Sequence, residues 1–229
     1  MHNNHWKIKH ALLFLLLAST FIILLSFIFL PLSITKNPLL IVIFYLFQVL
    51  GEMAILFFIG RKIINTSWTR ALHIHLLSFY EMFILPIGVY FIYISVFAGI
   101  MFLLQMLGFT HIPGLDGQGI DISEKIGNGT FGLILSFIIA VIIAPISEEI
   151  IFRGFIGQAF LSKWPALVAI PISSAIFAIS HFQFSVIIPL FVIGIILGTL
   201  SYTQKSIIPG IVLHMINNAS AFTILLFLK

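Results

Sequence analysis

Residues 131–153 have the sequence FGLILSFIIAVIIAPISEEIIFR, in which an uncharged run of 17 residues is followed by two adjacent glutamates and then by an arginine. An apolar run of this length approaches the roughly 20 residues that an α-helix needs to cross a hydrocarbon core about 30 Å thick. We therefore predict a membrane-spanning helix over 131–147 that ends on ionisable side chains.

The whole chain has the composition of a membrane protein. Of its 229 residues, 61% are hydrophobic and 8% are charged, and the mean hydropathy is +1.21. So few polar side chains cannot cover the surface of a soluble globule, and the apolar content suffices for about seven spans. The chain contains no cysteine, which excludes disulfides, thiolate catalysis and zinc held by sulfur.

The remaining spans follow from the apolar runs on either side of the quoted stretch. We predict them over 11–30, 39–60, 82–107, two within 164–204 separated near His181, and 207–228. Gly194 and Gly198 lie four residues apart in the sixth span and would allow close packing on a neighbour. The predicted fold class is all-α: one polytopic transmembrane domain over 1–229, with N-terminal helices in 1–110 and catalytic core helices in 131–229.

Lysine and arginine positions predict the orientation in the membrane. Counted on alternating sides, eight cations lie on the side of the N-terminus and three on the other side, Lys36, Lys125 and Lys229. The positive-inside rule then places the N-terminus in the cytoplasm. The net charge of +4 is scattered between apolar runs, so it indicates the lipid bilayer and no nucleic acid as partner. The loop 108–130 is expected to be a solvated connector, and the small size favours a prokaryotic cell membrane.

Ionisable groups inside spans are candidates for function, because a charge at the bilayer centre costs roughly 2.5–3.5 kcal/mol even on the lenient insertion scale. Two further acids, Glu52 and Glu81, each stand alone in the sequence, and a structural role is expected for them. Five positions qualify as candidates: Glu148, Glu149, Arg153, His181 and His214.

Glu149 and Arg153 are four residues apart, which places them on one face of a helix and allows an ion pair. Glu148 then points about 100° away and can face a cavity as a general base. A plain salt bridge at the helix end is the competing interpretation of these three residues.

Two more pairs repeat the four-residue spacing: Phe177 with His181, and His214 with Asn218. A lone histidine in an apolar helix is more often a packing residue than a catalyst. Here, however, all of these groups can converge at a similar depth. A glutamate and one histidine could then hold and deprotonate a water, while the second histidine and the amide donate hydrogen bonds to an oxyanion. Zinc on Glu148, His181 and His214 is the second option, although the H-E-x-x-H spacing is absent.

These motifs resemble those of the CAAX protease and bacteriocin-processing family, also called Abi, of intramembrane endopeptidases related to the Ras-converting CAAX endopeptidase. SEEIIFR, which ends at Arg153, is similar to its E-E-x-x-x-R motif. Residues 177–181 and 214–218 are similar to its F-x-x-x-H and H-x-x-x-N motifs, in the family's order. The resemblance covers roughly the last 100 residues.

The resemblance implies an endopeptidase whose base is Glu148, with His181 positioning the water and His214 and Asn218 forming the oxyanion site. Glu149, Arg153 and Phe177 would then support these groups. The family is often described as metalloproteases, although similar enzymes are understood to depend on glutamate without a metal. We therefore favour no cofactor, and we expect a peptide or protein substrate that is associated with the membrane.

Two other classes of function fit the sequence less well. A non-catalytic membrane scaffold or bacteriocin self-immunity protein would not need the intact motifs. A proton-coupled transporter would also carry Glu and His within its spans, but one half of this chain does not repeat the other, as it does in many transporters.

Overall fold

A computed structural model describes residues 6–33, 38–109, 113–114 and 129–227, and within these ranges every regular element is helical. The predicted loop 108–130 and the cations Lys36, Lys125 and Lys229 lie wholly or largely outside them. The helices are α1 (Ile8–Ser33), α2 (Pro38–Gly60), the short α3 (Trp68–Ala71), α4 (Tyr80–Met106), α5 (Thr130–Leu161), α6 (Ala166–Ser180), α7 (Ile187–Gln204) and α8 (Ile208–Phe227).

Five of these helices, α1, α2, α4, α5 and α7, are long and apolar enough to cross a membrane. Helices α6 and α8 have shorter apolar segments, which are Ala166–Ser180 and Ile208–Ile224. The all-α polytopic fold is confirmed, and seven apolar helices agree with the predicted total of about seven spans. The protein is a multi-pass membrane protein.

The predicted fourth span is the first part of a longer helix. Helix α5 continues beyond Ser147, through the glutamates and the arginine to Leu161. Two parts of it, Ile138–Ile143 and Glu149–Gly157, have the wider turns of a π-helix. Within the helix, Glu149 and Arg153 pair with each other, and both also contact other helices of the bundle. Such π-helical turns are frequent at functional sites.

Helices α6 and α7 pack closely through the two glycines of the predicted small-residue pattern. A Cβ atom on Gly194 would lie 3.0 Å from Cβ of Ser174, and one on Gly198 would lie 2.9 Å from Cγ2 of Ile170. Only glycine therefore allows this approach without a shift of the neighbouring helix. The close packing brings the C-terminus of α6, where His181 follows, against the middle of the bundle.

One end of the bundle includes Trp6 and two turns, and we call it the basic end because Lys163 and Lys205 lie in its turns. The indole of Trp6 donates to the carbonyl of Ala71 at 2.9 Å. The hydroxyl of Ser206 donates to the carbonyl of His75 at 2.8 Å. These contacts join Trp6 to the segment around α3, and that segment to the turn between α7 and α8.

Candidate active site

Three helical segments bring the predicted ionisable residues together. Helix α5 carries the two glutamates and the arginine, His181 follows the last turn of α6, and His214 lies in α8. The Oε2 atom of Glu148 lies 3.8 Å from Nε2 of His181 and 3.7 Å from Nε2 of His214. The convergence that the sequence only allowed is therefore present in the structure.

Behind this contact lies a fully buried group of charged and polar side chains. Arg153 donates to Oε1 of Glu149 at 2.8 Å, so the contact predicted from the four-residue spacing is formed. The same carboxylate oxygen lies 3.0 Å from Nδ1 of His214. The second guanidinium nitrogen of Arg153 donates to the carbonyl of Gly194 at 3.2 Å. Because a buried charge is costly unless it is paired and hydrogen-bonded, these bonds hold the group in one arrangement.

Phe177 contacts the buried group and both histidines. The guanidinium carbon of Arg153 lies 4.3 Å from the centre of the Phe177 ring, which is cation–π geometry. The rings of His181 and His214 meet the same ring edge-to-face, with centroids 4.7 and 5.8 Å away. The carbonyl of Phe177 also lies 2.8 Å from Nδ1 of His181. Phe177 thus orients the first histidine through its backbone and the arginine through its ring.

The hydrogen-bond partners assign the protons of both imidazoles. A carbonyl oxygen can only accept, so Nδ1 of His181 carries a hydrogen and donates it to Phe177. The Nδ1 atom of His214 likewise donates to Oε1 of Glu149, which also accepts from Arg153. In their neutral forms both histidines then present an unprotonated Nε2 to Glu148.

Three acceptors therefore face one another: two imidazole nitrogens and a carboxylate oxygen. Within the described ranges, no donor lies within hydrogen-bonding distance of the buried Oε2 atom of Glu148. A water molecule, which can donate two hydrogen bonds, has the chemistry that this arrangement requires. The part of the chain that the structure describes contains no group of three or more His, Asp or Glu side chains placed to hold a metal ion.

Asn218 lies on the same face of α8 as His214, one turn later. Its Nδ2 atom donates to the carbonyl of Ala140 at 2.8 Å, and its Oδ1 atom accepts from Asn217 at 3.3 Å. Ala140 belongs to the first π-helical part of α5, so Asn218 also joins α8 to α5. The amide has a second N–H, and its predicted contact with an oxyanion stays a prediction.

Glu52 does not stand alone, contrary to the sequence-based expectation. It accepts from Nε2 of Gln48 at 3.2 Å, α2 packs against Ala144–Glu148, and Glu52 interacts electrostatically with Glu148. The sequence feature that could have indicated this contact is the Gln48–Glu52 pair, four residues apart within a span.

Glu81 accepts from the backbone N and the hydroxyl of Ser78 at 2.9 and 2.6 Å. These are local bonds at the start of α4, which agrees with a structural role.

Comparison with protein families gives a match to the part of the chain that contains the candidate site. Residues 130–220 match the family described as type II CAAX prenyl endopeptidase, Rce1-like. The matched segment contains all three motifs, and the resemblance to the CAAX protease family is confirmed for it. A comparison with curated proteins and one with solved structures gave no match.

Proposed function

We propose that this chain cleaves a peptide bond within the membrane by means of a water activated by Glu148. The premise is that residues 130–220 form an Rce1-like endopeptidase core in a multi-pass membrane protein. One observation carries the proposal. The Oε2 atom of Glu148 faces the Nε2 atoms of both histidines at 3.7 and 3.8 Å, with a buried ion pair behind it.

The reaction follows from the hydrogen-bonding capacities of these groups. A water held between Glu148 and His181 transfers a proton to the carboxylate while its oxygen attacks the peptide carbonyl carbon. The carbonyl oxygen gains the negative charge of the tetrahedral intermediate. Glu148 then returns the proton to the amide nitrogen, the C–N bond breaks, and the products are a carboxylate and an amine.

We assign stabilisation of the oxyanion to His214 and Asn218. Since Nδ1 of His214 is engaged by Glu149, its Nε2 atom can donate to an oxyanion only when the ring is protonated. The second N–H of the Asn218 amide provides another donor.

The exposure of the site supports a substrate that arrives through the membrane. Glu148 and His181 are about a quarter exposed to the outside of the protein. Phe182 and Phe184, directly after His181, are largely exposed, as expected of side chains that contact lipid tails. The proposed substrate is therefore a membrane-associated peptide or protein. We further propose a prokaryotic cell membrane as the location, with the N-terminus in the cytoplasm.

Purified protein in liposomes provides the test of the proposed base. The membrane peptides of cells with the wild-type protein and with Glu148→Ala are compared first, and peptides that span a wild-type cleavage site then serve as substrates. We expect Glu148→Ala to abolish cleavage without lowering the thermal unfolding temperature, whereas Glu81→Ala, outside the site, keeps it. Retained cleavage by Glu148→Ala would reject Glu148 as the base.

Two further readouts separate the alternatives. We expect cleavage to persist after treatment with a metal chelator, and activity that is lost with chelator and restored by zinc would support the zinc option instead. Rescue of a deletion phenotype by Glu148→Gln would favour the non-catalytic scaffold.

A further inference from the structure

A small cavity lies against Arg153, and neither glutamate of the candidate site is among its lining residues. It has a volume of about 10 Å³ and is lined in part by Arg153, Gln158, Ser173 and Ser201. This is about the volume that one water molecule requires, and a buried water needs two to four polar partners. The cavity offers a guanidinium, an amide and two hydroxyls, so both conditions are met.

A much larger cavity, of about 500 Å³, adjoins the small one at the basic end. Its wall includes Trp164, Pro165 and Lys205. The two cavities share Gln158, Leu161, Ser201 and Tyr202 as lining residues. Since the same four side chains lie between them, the small cavity is separated from the basic end by side chains alone.

Two buried oxygen atoms need hydrogen-bond partners: Oγ of Ser201, which lines both cavities, and Oε2 of Glu149, which is not among the lining residues. Within the described part of the chain, neither Oγ of Ser201 nor Oε2 of Glu149 has one. Both atoms lie 3.0 Å from the place where a Cβ atom on Gly210 would be, so they border the same space. An unsatisfied buried polar atom costs about 1–3 kcal/mol, and water is the common partner where protein provides none.

We propose that water from the basic end passes through these two cavities to Ser201 and Arg153 and supplies the hydrogen bonds of Ser201 Oγ and Glu149 Oε2. The bound ligand is water, and the residues that bind it are polar groups of α5, α6 and α7. Solvent and substrate then reach the charged group from opposite faces, with substrate at Glu148 and solvent at Ser201.

The hydration has a consequence for catalysis, and this part rests on the proposed function. A water at Oε2 of Glu149 leaves Oε1 to accept from the Nδ1–H of His214. The Nε2 atom of His214 consequently stays directed at Glu148. Ser201 and its water act as positioning groups for this histidine, and they do not touch the substrate.

The absence of native cysteine allows a direct test of the hydration. Ser201→Cys introduces a single thiol into the full chain in liposomes, and its modification by a charged, membrane-impermeant methanethiosulfonate is followed by mass spectrometry. The matched control is Ser136→Cys, because Ser136 is equally buried, lies in α5 and lines neither cavity. We expect the thiol at position 201 to react at least about tenfold faster, since cysteine reactivity follows access to solvent. Equal rates would overturn the water route.

Gly210→Ala tests the positioning role. Its methyl group would crowd both oxygen atoms, so we expect kcat to fall severalfold at unchanged KM. Gly99→Ala is the control, because a Cβ there meets nothing within 4 Å. If Gly210→Ala does not fold, Ser201→Ala removes one partner of the water and should lower kcat in the same way. An unchanged kcat rejects the positioning role. A wild-type protein that cleaves nothing rejects the proposed function, while the labelling experiment still decides the water route.

Discussion

The candidate site has two halves that differ in almost every physical respect. The back half, Glu149, Arg153 and His214, is 0–5% exposed and is joined by contacts of 2.8 and 3.0 Å. The front half, Glu148 and His181, is 23–26% exposed, and Oε2 of Glu148 lies 3.8 Å from His181 and 3.7 Å from His214. The back half is paired through Oε1 of Glu149, although Oε2 of the same carboxylate has no partner in the described part of the chain, whereas Oε2 of Glu148 in the front half is in hydrogen-bonding contact with neither histidine.

The difference shows how a membrane protein can keep charge in its interior and still use it. An unpaired charge within the bundle would be costly, so the back half is closed by an arginine, a histidine and a backbone carbonyl. The front half lacks such partners, and in the proposed mechanism water and a peptide carbonyl complete it. We therefore expect substitutions in the front half to reduce catalysis and substitutions in the back half to reduce stability.

The largest expected effect is on catalysis in the front half. Glu148→Gln keeps the shape of the side chain but removes the base, so cleavage should fall about 10²–10⁴-fold. The thermal unfolding temperature should stay within a degree or two, which is about the shift expected from a small change in stability. A large drop in the unfolding temperature would mean that Glu148 also contributes to the stability of the fold.

The back half should respond in the opposite way. Arg153→Met leaves Glu149 buried without its cation, and removing one partner of a buried pair costs about 3–5 kcal/mol. Thermal unfolding in detergent measures this loss. The control is the double variant Arg153→Met with Glu149→Gln, which should recover part of the stability because no unpaired charge remains. Equal unfolding temperatures for Arg153→Met and the wild type would contradict the comparison.

Phe177 provides the smallest test, because it touches both halves. Phe177→Leu removes the cation–π contact with Arg153, worth about 1–2 kcal/mol, but keeps the backbone carbonyl that orients His181. We expect a modest fall in the unfolding temperature and retained cleavage. Complete loss of cleavage at unchanged stability would show that the ring itself, and not the carbonyl, controls His181.

Local spacing explains which contacts could be predicted. The Glu149–Arg153 pair follows from helix periodicity alone, because four residues along a helix return to the same face. The close packing at Gly194 was predictable for a similar reason, since the absence of a side chain is a property of the residue. The three family motifs indicated which distant residues to expect at one site.

Contacts between distant segments could not be predicted in this way. The proximity of Glu52 to Glu148 depends on how α2 packs against α5, and the position of Ser201 behind the ion pair depends on α7 and α8. The extension of α5 to Leu161 was missed because charged residues end a span only when they have no partners inside the protein.

The sequence by itself determined that this chain is a helical membrane protein and which ionisable side chains are costly to place within the membrane. Those properties follow from composition and from periodicity along one helix. The tertiary structure decided which of these groups are buried among polar partners and which are partly exposed. That choice depends on interactions among α5, α6, α7 and α8, and the free energy of a buried charge is set by its neighbours in space.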